Sequence, residues 1–338
     1  MNVLIFTTSS NNTPNFIGSL ANLGTHQVSA YAYDRKYHEA IAQAYQANPS
    51  VLEQIKMGQW NPGRDRVAMD DEMLKQAKLA KPDVIVFISA WRQIFCPLNE
   101  TLGELNQIAP VIHFLSDGQD PPWWDELREF ERRGTFSLTV NIDGGHNWPG
   151  GKNWSGDFTV SKALTLLTPI DMIWYDIPHY LSFAERPYAF VFAGNIGGSI
   201  RSALVERLKR CIGFYHKDRD GDIRSYPTYA SFLKDSRVSV NVPFTGSGAA
   251  RQVKGRVLET GFAGACLLEW ANESTRSWFS PRHEYWEYES IDECVDLGEW
   301  LLGHPKIAAA SAAALTRRLR EEHHPAIFWK KCFEAIGK

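Results

Sequence analysis

Several short runs in this sequence are apolar at every position instead of every second one. Val84-Ile85-Val86-Phe87-Ile88 is the clearest, and Val111 to Leu115 and Tyr188 to Ala193 read the same way. A strand that is apolar on both faces has to be covered on both, which is the situation of a parallel strand between layers of helix. Each run ends in a polar or glycine-rich segment, after which apolar residues return at helical spacing. Asn2 to Thr7 leads through Thr7 to Asn12 into Phe16, Ile17, Leu20 and Leu23, and Tyr188 to Ala193 leads through Gly194-Asn195-Ile196-Gly197-Gly198 into a helix from Ser199 to Cys211. Repeated strand, loop and helix predict a doubly wound α/β architecture. Further strands are expected at His26–Tyr33, Ser137–Asn141, Val238–Val242, Ala265–Leu268 and Tyr285–Tyr288. Helices are expected at Tyr37–Met57, Asn99–Gln107, Val253–Phe262, Ile291–Leu302, Pro305–Glu322 and Pro325–Ile336.

The pattern breaks between Trp148 and Pro187, where Gly, Pro, Trp and Thr crowd in and periodicity disappears. A chain of 338 residues is long enough for two cores. The expected organisation is therefore an α/β domain over 1–185, a second over 186–322, and a closing helix within 323–338 that crosses back to the first. Two such domains face each other across a cleft, and ligands bind outside the carboxyl ends of parallel strands. With 36 Lys plus Arg against 39 Asp plus Glu, the net charge of −3 excludes a generic polyanion binder. The 5 cysteines stand far apart without metal-ligand spacing, which fits a reducing cytoplasm. No window approaches the ~20 apolar residues of a membrane span.

Two segments in the second half carry chemistry. The loop Ala193 to Arg201 joins a strand to a helix, so its Gly194, Asn195 and Arg201 either cradle an anion at the helix N-terminus or serve only the turn. It matches neither a P-loop nor a dinucleotide fingerprint. The second segment runs from Gly246 through Ser247, Gly248, Arg251, Lys254, Arg256 and Glu259 to Gly264. Cations early in a helix oppose its dipole, so Lys254 and Arg256 there are explained by a phosphate that pairs with them, or else by a solvated basic face. Glu259, on the same face as Arg256, suits a ribose diol or a salt bridge to that arginine.

These residues resemble a family. FAGN followed by Arg201, KGRVLETGFAGACLLEW, YESIDECVDLGEWLLGHP and the closing helix are similar to the second half of the CgeB-type (spore-maturation) glycosyltransferases, a branch of the group 1 enzymes with the GT-B fold; SDGQDPPWW and VNIDGGHNW echo it more weakly in the first half. The resemblance implies two Rossmann-like domains and a glycosyltransferase that moves a sugar from a nucleoside-diphosphate sugar, a UDP-sugar being favoured, to an acceptor hydroxyl. It implies no cofactor and no metal, the donor being a co-substrate. Gly194, Asn195, Arg201, Ser247 and Gly248 would line the donor site, Lys254 and Arg256 would neutralise the diphosphate, and Glu259 would hold the ribose. The chain departs from the common pair of glutamates eight positions apart, because Arg251 occupies the first slot.

An inverting transfer needs a base, and Asp117, Asp120, Asp143 and His146 all follow expected strands on the cleft side; each is also a residue that turns favour. Ser9 and Ser10 end the first strand. Trp123, Trp124, Trp148 and Trp154 form either a sugar-stacking platform or loop anchors. Asp70-Asp71 reads as a helix cap, and His323-His324 as a helix end. The acceptor is open: a glycan, a small molecule, a protein or a hydroxylated DNA base, the last because Arg201, Arg207, Lys209, Arg210, Lys217, Arg219 and Arg224 concentrate positive charge. Competing readings on the same fold are a nucleotide-sugar epimerase or hydrolase, and a non-catalytic sugar-binding protein.

Overall fold

The computed structural model describes residues 1–8, 13–33, 63–89, 96–217, 225–245 and 248–338. The expected helix at Tyr37–Met57, together with Ser9, Ser10 and Ser247, lies outside the described residues. The first half holds β1 (Asn2–Thr7), α1 (Thr13–Ala21), β2 (Gln27–Ala32), α2 (Gly63–Ala80), β3 (Val84–Ile88), α3 (Asn99–Ile108), β4 (Val111–Leu115), α4 (Trp124–Arg133), β5 (Leu138–Asn141) and β6 (Ala163–Thr165). Its strands form one sheet in the order β2-β1-β3-β4-β5-β6, parallel at every pairing. Alternate residues of the continuous runs go to opposite faces: Leu4, Phe6, Ile85 and Phe87 to one core, Val3, Ile5, Val84 and Val86 to the other.

The second half repeats the plan with β7 (Tyr188–Ala193), α5 (Ser199–Leu208), β8 (Phe214–Lys217), α6 (Tyr226–Lys234), β9 (Ser236–Asn241), α7 (Gly255–Phe262), β10 (Cys266–Trp270), the short α8 (Glu273–Arg276), β11 (Trp286–Tyr288), α9 (Ile291–Gly303) and α10 (Pro305–Glu322). The order β11-β10-β9-β7-β8, again all parallel, reverses between β7 and β9. The loops after those two strands therefore flank the crevice where such sheets bind ligands.

The chain passes between the two cores twice. Leu166 packs with the first sheet and Leu167 with the second; after α10, whose Leu319 belongs to the second core, α11 (Pro325–Ala335) returns Phe328, Trp329, Cys332 and Phe333 to the first. Trp329 also donates from its indole to Ser19 Oγ on α1 at 3.1 Å.

Several local expectations change. The stretch from Trp148 to Pro187 is not wholly irregular, because three of its residues form the edge strand β6. Asp70 and Asp71 lie inside α2 and do not cap it; Asp70 accepts the Leu98 N–H instead. Among the described residues, no helix is long and apolar enough to cross a membrane. All five cysteines are free and buried.

Candidate functional site

A cavity of about 340 Å³ lies between the loops of the two sheets. From the second half come Asn195 and Arg201 on the loop and helix after β7, then Gln252, Lys254, Arg256 and Glu259 at and beyond the entry to α7. The first half contributes Asn15, Asp117 after β4 and Asp143 after β5. The cavity floor is pinned by bonds from one half to the other. Val253 N donates to Asp143 O at 2.9 Å, Gln119 Nε2 to Arg251 O at 2.5 Å, and Trp278 Nε1 to Gly144 O at 2.7 Å.

Helix α7 begins with Lys254 as N-cap, and no side chain caps it; α5 begins after Gly198, likewise without a side-chain cap. The first N–H groups of a helix and its dipole favour an anion. Three cations surround the same space. Burial and the neighbouring Arg256 together lower the Arg201 pKa, so these two guanidiniums are close enough to repel. Among the described residues Arg201 makes no ion pair, and the Arg256 Nε is buried without a hydrogen-bond partner. Mutually repelling cations beside uncapped helix starts are stabilised by a bound anion. Gly194 is required by this arrangement. Its φ is +135°, and a Cβ there would stand 2.3 Å from Arg256 Nη2.

Glu259 is buried, and each of its oxygens accepts a tyrosine hydroxyl, from Tyr226 at 3.3 Å and Tyr229 at 2.8 Å. Tyr226 and Tyr229 stand one turn apart on α6. The sequence reading missed them, although their spacing of three on a helix was available as a signal.

Opposite the cations sit two carboxylates. Asp117 has φ 56°, a left-handed conformation uncommon outside glycine. Its N–H is bound by Asp143 Oδ2, and its own Oδ1 accepts from Gln252 Nε2 and from Lys254 Nζ, the latter at 3.3 Å. Backbone held in a sparsely populated region by surrounding bonds is typical of functional sites. Burial, followed by the charge of Asp117, raises the Asp143 pKa; Lys254 and the Asp117 N–H oppose that rise.

Other expected residues lie elsewhere. His146 stacks on Trp278 with ring centres 5.6 Å apart and is not among the residues lining the cavity. Asp120 is buried and accepts from Thr245 Oγ1 at 3.0 Å. Gly248 takes φ +77°, and its N–H donates to Thr245 O at 3.0 Å. The tryptophans anchor loops: Trp148 is fully buried and donates to Thr165 Oγ1, Trp124 packs edge-on against Trp154, and Trp154 donates to Phe158 O. Of the expected basic run, four described members have separate surroundings. Arg201 turns into the cavity, Arg207 pairs with Asp292, Lys209 pairs with Glu206, and Lys217 lies over Tyr188 and Phe232, while Arg219 and Arg224 fall outside the described residues. His323 ends α10 between the rings of Trp278 and Phe279, and His324 caps α11.

Residues 183–331, which carry the cations and both uncapped helices, match the family model described as glycosyl transferase-like. Over those residues the chain is similar in sequence to glycosyl transferase-like proteins. No curated protein matches the chain in sequence. Among solved structures, HepE of Anabaena in complex with UDP and glucose is similar over 99% of this chain and 99% of its own, at 10% identity and a TM-score of 0.63. The same protein in complex with UDP-glucose is similar over 99% and 98%, at 10% identity and a TM-score of 0.60. A glycosyltransferase from Rickettsia africae covers 99% and 98%, at 10% identity and a TM-score of 0.61. The two parallel sheets thus have the GT-B fold, with the second half supplying the positive wall of the cleft and the first half the acidic one.

Proposed function

We propose that this protein transfers a sugar from a nucleoside-diphosphate sugar, a UDP-sugar being favoured, to an acceptor hydroxyl without a metal, as a member of the CgeB-type branch of glycosyltransferases. The observation that carries the reading is the convergence of Arg201, Lys254, Arg256 and the uncapped start of α7 on one cavity, faced by Asp117 and Asp143. HepE, whose fold this chain shares and which is solved in complex with UDP and with UDP-glucose, supports the choice of donor. In this scheme residues 1–185 present the acceptor, 186–322 hold the donor, and the site is cytoplasmic.

The chemistry follows from charge. The acceptor oxygen bonds to the anomeric carbon while the bond from that carbon to the diphosphate oxygen breaks, and its electron pair leaves with the nucleoside diphosphate. Arg201, Lys254, Arg256 and the helix start offset the charge that develops there. The acceptor proton goes to the Asp117–Asp143 pair, in which Asp143 has the raised proton affinity a base working near neutrality needs. Glu259, oriented by its two tyrosines, accepts from the ribose hydroxyls.

Incubation with a panel of nucleotide sugars, with and without acceptors and with EDTA, tests the reading by measuring free nucleoside diphosphate. Acceptor-dependent release that EDTA leaves intact is expected, and Arg256→Ala should lower it by a factor on the order of 100 or more. A new sugar nucleotide without release would instead indicate epimerisation, release regardless of acceptor would indicate hydrolysis, and binding without turnover would leave a sugar-binding protein.

A further inference from the structure

Arg256 is aimed by a chain of bonds that starts outside the cavity. Its Nη1 donates to Asn241 Oδ1 at 2.9 Å, and its guanidinium lies 5.2 Å over the Phe192 ring. An amide can turn its oxygen to Arg256 only if its NH₂ points the other way, and Asn241 Nδ2 donates to Glu269 Oε2 at 2.7 Å. Asn241 on β9 and Glu269 on β10 are register partners in the sheet. Both are completely buried, and neither lines the cavity. The other Glu269 oxygen accepts Thr275 Oγ1 at 3.4 Å.

A carboxylate only accepts hydrogen bonds, so it fixes the orientation of the amide beside it. A buried charge this deep is costly unless it is paired and hydrogen-bonded, and in this sheet its compensation runs through an amide to a guanidinium. A direct carboxylate–guanidinium bond at the same place would occupy the arginine with its own counter-ion. The relay stabilises Arg256 from behind and leaves its cavity side to a ligand.

We propose that Glu269 is the positioning residue of the diphosphate site, acting through Asn241 to hold Arg256 in the geometry that grips the phosphates. This rests on the reading of the cleft as a nucleoside-diphosphate site. Glu269→Gln has nearly the same shape, but its NH₂ can donate to Asn241 Oδ1, which turns the amide and presents NH₂ to Arg256.

At pH 8.5, where Glu269 is a carboxylate, titration calorimetry of the intact protein with UDP, and with uridine as a probe that lacks phosphate, tests the idea. The variant is expected to lose roughly tenfold or more in UDP affinity, the loss of one hydrogen bond to a charged group, while its uridine affinity stays unchanged. The exchange Asn241→Asp/Glu269→Gln puts a carboxylate directly on the guanidinium, its other oxygen accepting from the glutamine NH₂, so Arg256 is occupied by its own counter-ion and UDP affinity should stay about tenfold or more below that of the starting protein while uridine affinity is unchanged. Three outcomes overturn the proposal: Glu269→Gln binding UDP as the unchanged protein does, equal losses for UDP and uridine, or an exchange variant that is folded and binds UDP as tightly as the unchanged protein. If the single variant fails to fold, the UDP-to-uridine affinity ratio of the exchange variant decides by the same threshold. An unchanged protein that does not bind UDP at all removes the functional reading itself, and this inference with it.

Discussion

Asp143 holds two positions at once, since one carboxylate oxygen fixes the backbone of Asp117 and burial raises the proton affinity of the group as a whole. Asp143→Asn separates these roles. An asparagine oxygen still accepts the Asp117 N–H, so the loop is retained, while the capacity to take a proton is gone. Turnover should fall by about 10²–10⁴-fold with UDP affinity nearly unchanged, as steady-state rates and calorimetry on the same preparation would show. An equal loss in both would assign Asp143 to donor binding. At this scale the sequence was informative where local pattern carried meaning. Gly194 and Lys254 sit on strand-to-helix turns of the second half and Arg201, Arg256 and Glu259 in the helices that follow, and the structure brings all five to the cavity or its edge. His146 was expected on the same positional grounds, but its ring packs on Trp278. Glu269 read only as the residue following the expected strand Ala265–Leu268, because nothing local says that β9 lies beside β10 and sets Asn241 opposite it.

Among the elements, the continuous apolar strands and the long C-terminal helices were legible, since burial on both faces leaves an unmistakable composition. Elements buried on one narrow stripe were not. Helix α2 is mostly polar, with Met69, Met73 and Ala77 at intervals of four as its buried line, and β6 and β8 are short strands at sheet edges. Helix α11 is the closing helix expected within 323–338 to cross back to the first half, and it packs there. It follows the second half but buries Phe328, Trp329, Cys332 and Phe333 against the first sheet. Trp329→Ala should therefore destabilise the first half by about 3–5 kcal/mol through the cavity it leaves. Urea unfolding followed by separate probes in the two halves would check this, and a loss confined to the second half would contradict the packing.

Across the whole molecule, buried ionisable groups set opposing dependences on pH. Burial pushes the Glu269 carboxyl from 4.5 up to about 7, against the pull of Asn241, Asn272, Thr275 and Arg256. Tyr285 and Tyr288 face it from the β11 side. A carboxyl with a raised folded-state pKa stabilises the fold fully below its unfolded value, and that contribution is lost as pH rises through the folded value. His113 runs the other way. Enclosed by Phe87, Phe130 and Phe136, it is lowered by burial from 6.5 to about 3, so its contribution is present above the unfolded value and lost as acid charges it. The stability advantage of Glu269→Gln over the unchanged protein should therefore increase by about 3 kcal/mol between pH 4.5 and pH 8. Denaturant titrations at several pH values measure it, and a difference that does not vary with pH would rule out Glu269 as the titrating group.

The two passages of the chain between the cores, near Leu166 and between Leu319 and Phe328, also limit how the cleft can move. A body tethered at one point swivels in every direction, whereas one tethered at two retains a single easy rotation, about the line through both. The walls bearing Asp117 and Arg256 are thus mounted like a door on two hinges, and the bonds from Val253 to Asp143 and from Trp278 to Gly144 are the latch: any swing of the faces along that one arc has to break them first.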